Sequence, residues 1–230
     1  MRKNHKPAIQ DLLDVMAKLR SPEGCPWDRE QDHMSLRFHA VEEVYELMDA
    51  IESGDDHEML EELGDLLLQV VFHCQLAKER GVFDFEQACR VIVEKLIRRH
   101  PHVFGDVQVK DVDQVWANWE RIKKSEKMGT KHERPSAFDG IPRHLPALWR
   151  AEKLVKKARK AGLTVSTFEP SRKLTKVALV QELFGLAAAA HTQGWSAEEL
   201  LRCHIVKVER KLRERERRGV RPHSHTLRRQ

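Results

Sequence analysis

Apolar side chains recur at intervals of three and four along most of this chain. Residues 8–20 carry Ile9, Leu12, Leu13, Met16 and Leu19, the spacing of one helix face. The run Ser21-Pro22-Glu23-Gly24-Cys25-Pro26-Trp27-Asp28 breaks that helix with two prolines and a glycine. The pattern then predicts a helix over 35–53, stopped by Gly54-Asp55-Asp56, and another over 57–80, stopped by Gly81. A helix over 85–100 stops at Pro101, and one over 112–127 carries Val115, Trp116, Trp119 and Ile122 on one side. From Leu66 to Ala77 the 57–80 segment is apolar on nearly every side, which predicts a buried helix. Three weaker helices are expected over 146–160, 173–193 and 196–217, and no segment alternates with a period of two. The expectation is all-α: a helical bundle of antiparallel helix pairs, dimerised. A first domain covers 1–127, a Gly- and Pro-containing linker 128–146, a second helical region 147–217 and a basic tail 218–230.

Composition narrows this little further. Among 230 residues, 40% are hydrophobic and 33% charged, with only 11 Gly and 9 Pro. That is a globular mixture poor in the breakers of a turn-rich sandwich. No apolar run approaches the roughly 20 residues of a membrane span. The basic start Met1-Arg2-Lys3 leads into no apolar segment, so no signal peptide is expected. Cys25, Cys74, Cys89 and Cys203 show no metal-finger spacing and read as free thiols of a cytoplasmic protein. The net charge of +5 is uneven: residues 200–230 hold eleven Lys and Arg against three Glu, which leaves −3 for the rest. Such a tail could touch nucleic acid. The alternation Arg213-Glu214-Arg215-Glu216-Arg217 fits a solvated helix end better.

Two acidic clusters change the picture most. Glu42-Glu43-Val44-Tyr45-Glu46 and Glu61-Glu62-Leu63-Gly64-Asp65 lie on consecutive predicted helices, with fifteen residues between Glu46 and Glu62. An antiparallel pair so joined brings both clusters to similar heights. Glu43 and Glu46 share a helix face, as do Glu62 and Asp65. Four converging carboxylates need a cation, and all-oxygen ligands select Mg2+, or Mn2+ in its place. The plain alternative is a solvated acidic face. Against it, Asp65 directly precedes the apolar run, and Gly64 in mid-helix costs about 1 kcal/mol, which suggests close helix approach or a needed gap. A di-iron bundle requires two Glu-x-x-His motifs, and only Glu30-Gln31-Asp32-His33 matches. The 85–100 helix ends in Lys95, Arg98, Arg99 and His100. Cations suit a helix C-terminus through its dipole alone; beside a metal site they would also bind substrate phosphates. Trp119, four residues before Lys123, offers a stacking face, although a Trp at helical spacing is commonly core.

Glu42-Glu43-x-x-Glu46 followed by Glu62-x-x-Asp65 resembles the EExxE…ExxD signature of the all-α nucleoside triphosphate pyrophosphohydrolases. Within them the chain resembles the MazG family. Gly24-Cys25-Pro26-Trp27-Asp28, the run Glu61 to His73, the run Lys95 to Asp106, Asn118-Trp119-Glu120 and Asp139-Gly140-Ile141-Pro142 carry the likeness in order. The resemblance implies Glu43, Glu46, Glu62 and Asp65 as Mg2+ ligands, and Glu42 or Glu61 as a carboxylate that orients or deprotonates water. It implies Lys95, Arg99 and Arg98 facing the triphosphate, with Trp119 and Lys123 near base or phosphates. The implied reaction cleaves a nucleoside triphosphate between its α and β phosphates, giving monophosphate and pyrophosphate, in a homodimer. Such an enzyme would serve nucleotide-pool sanitation or stress control.

Long members of that family carry two such domains, and the second half here reads as a decayed copy. Gln181-Glu182-Leu183-Phe184-Gly185-Leu186 aligns with Glu61 to Leu66, and Lys207 to Lys211 mirrors Lys95 to Arg99. Gly185 stands at the Asp position, and no Glu-x-x-Glu precedes it at the required distance. The second half is therefore expected to bind no catalytic metal. The competing functions are a regulatory helical module that binds nucleotides or nucleic acid without turnover, and a metal-dependent nuclease using the same carboxylates.

Overall fold

The computed structural model describes residues 6–131, 133, 135–163 and 174–219. The described residues are all-α: α1 Ala8–Leu19, α2 Pro26–Glu30, α3 His39–Ser53, α4 Asp56–Glu79, α5 Phe85–Arg99, α6 Pro101–Phe104, α7 Val112–Ser125, α8 Ala147–Lys160, α9 Lys176–Thr192 and α10 Ala197–Arg217. No helix among them is long and apolar enough to cross a membrane. The chain divides into two compact units after Ile122, within α7.

In the first unit the break after α1 is a structured loop. Pro26 stands in the first turn of the short helix α2, where its missing N–H costs nothing. Gly24 brings the loop back onto α1, and a Cβ there would lie 2.1 Å from the Leu19 carbonyl oxygen. The Arg20 guanidinium, almost buried, pairs with both Glu79 oxygens at 2.8 and 2.7 Å. It also donates to the carbonyls of Asp28 and Gln31 and lies 5.5 Å from the centre of the Phe72 ring. This one side chain ties the loop to the end of α4. The core beneath it is Met16, Leu36, Val71, Phe72 and Leu76, flanked by Ile9, Leu12, Leu13, Leu68 and Phe85. Leu36 reaches it from turns that precede α3, so the helix expected from 35 begins at His39.

One expectation about α4 is corrected, and one of two alternatives at Gly64 is removed. The apolar run is buried on one side only: Val71, Phe72, Cys74, Leu76 and Ala77 are inside, whereas Leu67 and Val70 remain exposed. Gly64 meets no close neighbour, since a Cβ placed there would have nothing within 4 Å. Among the described residues this excludes close helix approach at Gly64 and leaves the needed gap as the reading that fits.

The second unit has its own core of Phe138, Ala147, Leu154, Ala158, Leu163, Ile205 and Leu212, formed chiefly where α8 packs on α10. The Gly- and Pro-containing segment before α8 is bound into it. Phe138 is 1% exposed, Lys157 donates to the carbonyls of Ala137 and Asp139, and Glu216 accepts from Ser136 Oγ and the Ala137 N–H. α9 keeps Val177, Val180, Phe184 and Leu186 exposed. Residues 164–173, where the copy of the first acidic helix would be sought, and 220–230 of the basic tail lie outside the described residues.

Candidate metal centre

The hairpin of α3 and α4 sets the site. Gly54, at φ 73°, ends α3 in the left-handed conformation, which a glycine adopts without a Cβ clash. Asp55 then caps α4 by accepting from the N–H groups of His57 and Glu58. The chain reverses over these two residues, and α3 packs along α4.

This reversal brings one carboxylate oxygen from each of Glu43, Glu62 and Asp65 within 4.8 Å of the others. Like charges so close disfavour ionisation. The Glu43 carboxyl is raised above its ordinary value, first by partial burial and then by the Asp65 charge. A hydrogen bond from Gln69 opposes the rise, and the Glu46 and Glu42 charges add to it. The Glu62 carboxyl is also raised, by partial burial first and then by Glu46, Asp65, Glu43 and Glu61. An all-carboxylate donor set that cannot comfortably hold its own charge fits a hard divalent cation. Glu46 stands outside the group of three and is exposed, although its charge acts on Glu62.

The other expected residues have distinct surroundings. Glu42 lies 3.8 Å from His39 and Glu61 lies 3.9 Å from His57, both in exposed pairs along their own helices. On α5, Lys95 is half-buried and Arg98 exposed, while Arg99 is buried with its guanidinium 5.0 Å from the centre of the Trp119 ring. Trp119 in turn meets Trp116 edge-on at 5.9 Å. Lys123 follows on α7, beyond the division at Ile122.

Two features escaped the periodicity. Gln69, 7% exposed, donates from Nε2 to Glu43 Oε1 at 3.2 Å. Its only signal was an amide inside an apolar run, four residues after Asp65. His73, one turn further on, lies Nδ1 to Nδ1 2.9 Å from His33 with the rings stacked. Burial, then the charge of His33, lowers its pKa.

Residues 31–104 match the MazG nucleotide pyrophosphohydrolase domain. Over 196 residues the chain is 42% identical to an uncharacterized 26.1 kDa protein of Streptomyces cacaoi, covering 84% of this chain and 76% of that one. The chain belongs to the MazG family. It is also 47% identical over 163 residues to the nucleoside triphosphate pyrophosphohydrolase of Escherichia coli K12, covering 70% of this chain and 61% of that protein. With the Thermotoga maritima nucleoside triphosphate pyrophosphohydrolase/pyrophosphatase MazG it shares 48% identity over 154 residues, covering 67% and 58%. The chain thus spans about three fifths of the length of these two relatives. The matched MazG domain contains all the acidic positions above and the row Lys95, Arg98 and Arg99, whereas Trp119 and Lys123 fall beyond it.

Proposed function

We propose that this chain hydrolyses nucleoside triphosphates between the α and β phosphates, releasing monophosphate and pyrophosphate, with Mg2+ at the α3–α4 carboxylates. The observation that carries the reading is the approach of Glu43, Glu62 and Asp65 within 4.8 Å, with Glu43 and Glu62 raised. The activity for which the E. coli and T. maritima relatives are named supports it. Glu43, Glu62 and Asp65 hold the ion, and Glu46, one turn from Glu43, completes the set. A divalent cation there neutralises phosphoryl oxygens and acidifies water. Glu42 or Glu61 orients the attacking water and takes its proton. Lys95, Arg98 and Arg99 bind the phosphates, and Trp119 and Lys123 hold the base or the phosphates. Little covalent chemistry is asked of the protein, so position and charge set the rate.

The working form is a homodimer in the cytoplasm. Val41, Val44, Met48, Leu60, Leu63 and Leu67 are large apolar side chains left exposed on α3 and α4, and a second copy covers such a surface. Sedimentation at micromolar concentration would give twice the 26.8 kDa chain mass; a monomer would remove this part of the proposal.

The test is product analysis with Mg2+ and a panel of canonical and altered triphosphates, with Glu62→Gln in parallel. Pyrophosphate and monophosphate, lost in the variant, are expected. Inorganic phosphate and diphosphate would mean cleavage of another bond. Nucleotide binding without turnover would favour a regulatory module. Cleavage of nucleic acid by the same carboxylates would favour a nuclease.

A further inference from the structure

Along α4 the polar side chains Glu62, Asp65 and Gln69 follow at three and four residues, so they share one helix face. The first two are carboxylates of the candidate metal centre. The third is an uncharged amide, 7% exposed, level with the buried part of the helix. Its Nε2 donates to Glu43 Oε1 across the α3–α4 interface at 3.2 Å. Its Oε1 is buried and has no hydrogen-bond partner among the described residues.

A buried glutamine with half its amide unsatisfied is an expensive way to join two helices. The lost hydration of one amide oxygen costs on the order of 1–3 kcal/mol, whereas an apolar side chain of that shape would cost nothing comparable. Long glutamine side chains also lose much rotamer freedom when buried. What the amide provides is direction. Only its N–H end can face the Glu43 carboxylate, because the carbonyl end would oppose an anionic oxygen. Glu43 is therefore held by one oxygen from below, on the side of the hairpin interior. Its position towards Glu62 and Asp65 is set before any ion arrives.

We infer that Gln69 is a positioning residue that orients the Glu43 carboxylate for divalent-cation binding by a buried hydrogen bond from its amide. The inference rests on the metal-centre reading proposed above. Groups that hold ligands in place characteristically change metal affinity by roughly 10–100-fold when removed. A structural glutamine behaves otherwise, because its loss lowers the stability of the metal-free fold.

The two roles separate in Gln69→Met, which keeps length and volume and removes the hydrogen bond. Mn2+ alone, followed by electron paramagnetic resonance of the full chain without nucleotide, reads affinity directly. Thermal unfolding in a chelator reads the metal-free fold. The expected result is a 10–100-fold weaker Mn2+ affinity with the metal-free Tm unchanged or raised. Turnover at saturating metal should return to within a few-fold of the parent. Unchanged Mn2+ affinity would overturn the inference, as would a metal-free Tm lowered enough to account for the weaker binding. If Gln69→Met does not fold, Gln69→Leu gives the same readouts. Failure of both to fold would show that the amide supports the fold and overturn the inference. Absence of Mn2+ binding by the parent chain is a different failure, since it removes the metal centre itself.

Discussion

The acids at the α3–α4 hairpin of the first unit and those at the core of the second are held in opposite ways. The first, up to Ile122, carries fifteen Lys and Arg against twenty-five Asp and Glu, a net −10; the second carries twenty-six against eleven, a net +15. In the second unit the acids at the core are neutralised. Arg213 binds Asp139 at 2.7 Å and Glu209 at 2.8 Å, and Arg150 binds the other Glu209 oxygen at 2.8 Å. Burial pushes the Asp139 carboxyl up, but Arg213 and the Ser136 N–H outweigh it and hold it below its ordinary value. In the first unit Glu43 and Glu62 crowd Asp65 and are raised. Paired acids serve the fold. Crowded acids weaken it, and under the proposed function a divalent cation would relieve that crowding in the first unit.

Neutralising single acids tests that contrast most sharply. Glu62→Gln should lower turnover roughly 100-fold or more, because a ligand worth several kcal/mol of charge stabilisation is lost. Glu182→Gln, at the aligned position of the second unit, should change turnover per folded molecule less than about two-fold, because under the proposed function that unit holds no catalytic ion. Pyrophosphate release measures both. Equal effects at the two positions would dissolve the comparison.

Breaking a pair in the second unit should cost stability instead. The side chains of Arg150 and Glu209 are 6% and 16% exposed, and Arg150→Met leaves Glu209 to Arg213 alone. A loss of about 2 kcal/mol, that of one hydrogen bond to a charged group, is expected in urea unfolding, with turnover per folded molecule intact.

The pH response should differ in sign between kinds of acid. Glu43 and Glu62 are raised in the fold, so the folded state binds more protons than the unfolded chain between the two pKa values. Metal-free stability therefore falls as pH rises from the ordinary carboxylate pKa through the raised ones. Added Mg2+ should restore it, and more at higher pH, because the ligands must be ionised. Glu43→Gln should flatten the metal-free slope in chelator-containing thermal scans.

The smallest effect is expected at Glu79. The hydrogen bond from Arg20 lowers its carboxyl, partial burial opposes, and Gln75 adds to the lowering. Its contribution is present above the ordinary glutamate pKa and disappears as pH falls through the lowered one. Glu79→Gln should remove a small acid-side loss in Tm, while the opposite slope from Glu43 and Glu62 remains.

Helical periodicity and its breakers located α1, α4, α5 and α10 within a few residues, because Gly54, Gly81 and Pro101 are strong local signals. Pattern alone could not say which apolar side chains would be covered within one chain. The run Leu66–Ala77 reads as buried all round, yet Leu67 and Val70 are exposed, since burial depends on what packs alongside. Gly64 suggested close helix approach or a needed gap, and among the described residues a Cβ there would meet nothing within 4 Å, which leaves the gap.

The chain by itself determined the helices, the two acidic turns and their separation, because spacing along a helix and a glycine turn are local properties. It also determined the uneven charge, which needs only counting. The tertiary structure decided which carboxylates meet: Glu43, Glu62 and Asp65 within 4.8 Å, with Glu46 outside the group. It decided that Arg99 lies buried against Trp119, and that Gln69 reaches across the hairpin to Glu43. Those outcomes depend on how two helices rotate against each other, and a rotation of one residue, about 100°, would have exchanged the partners without altering any motif.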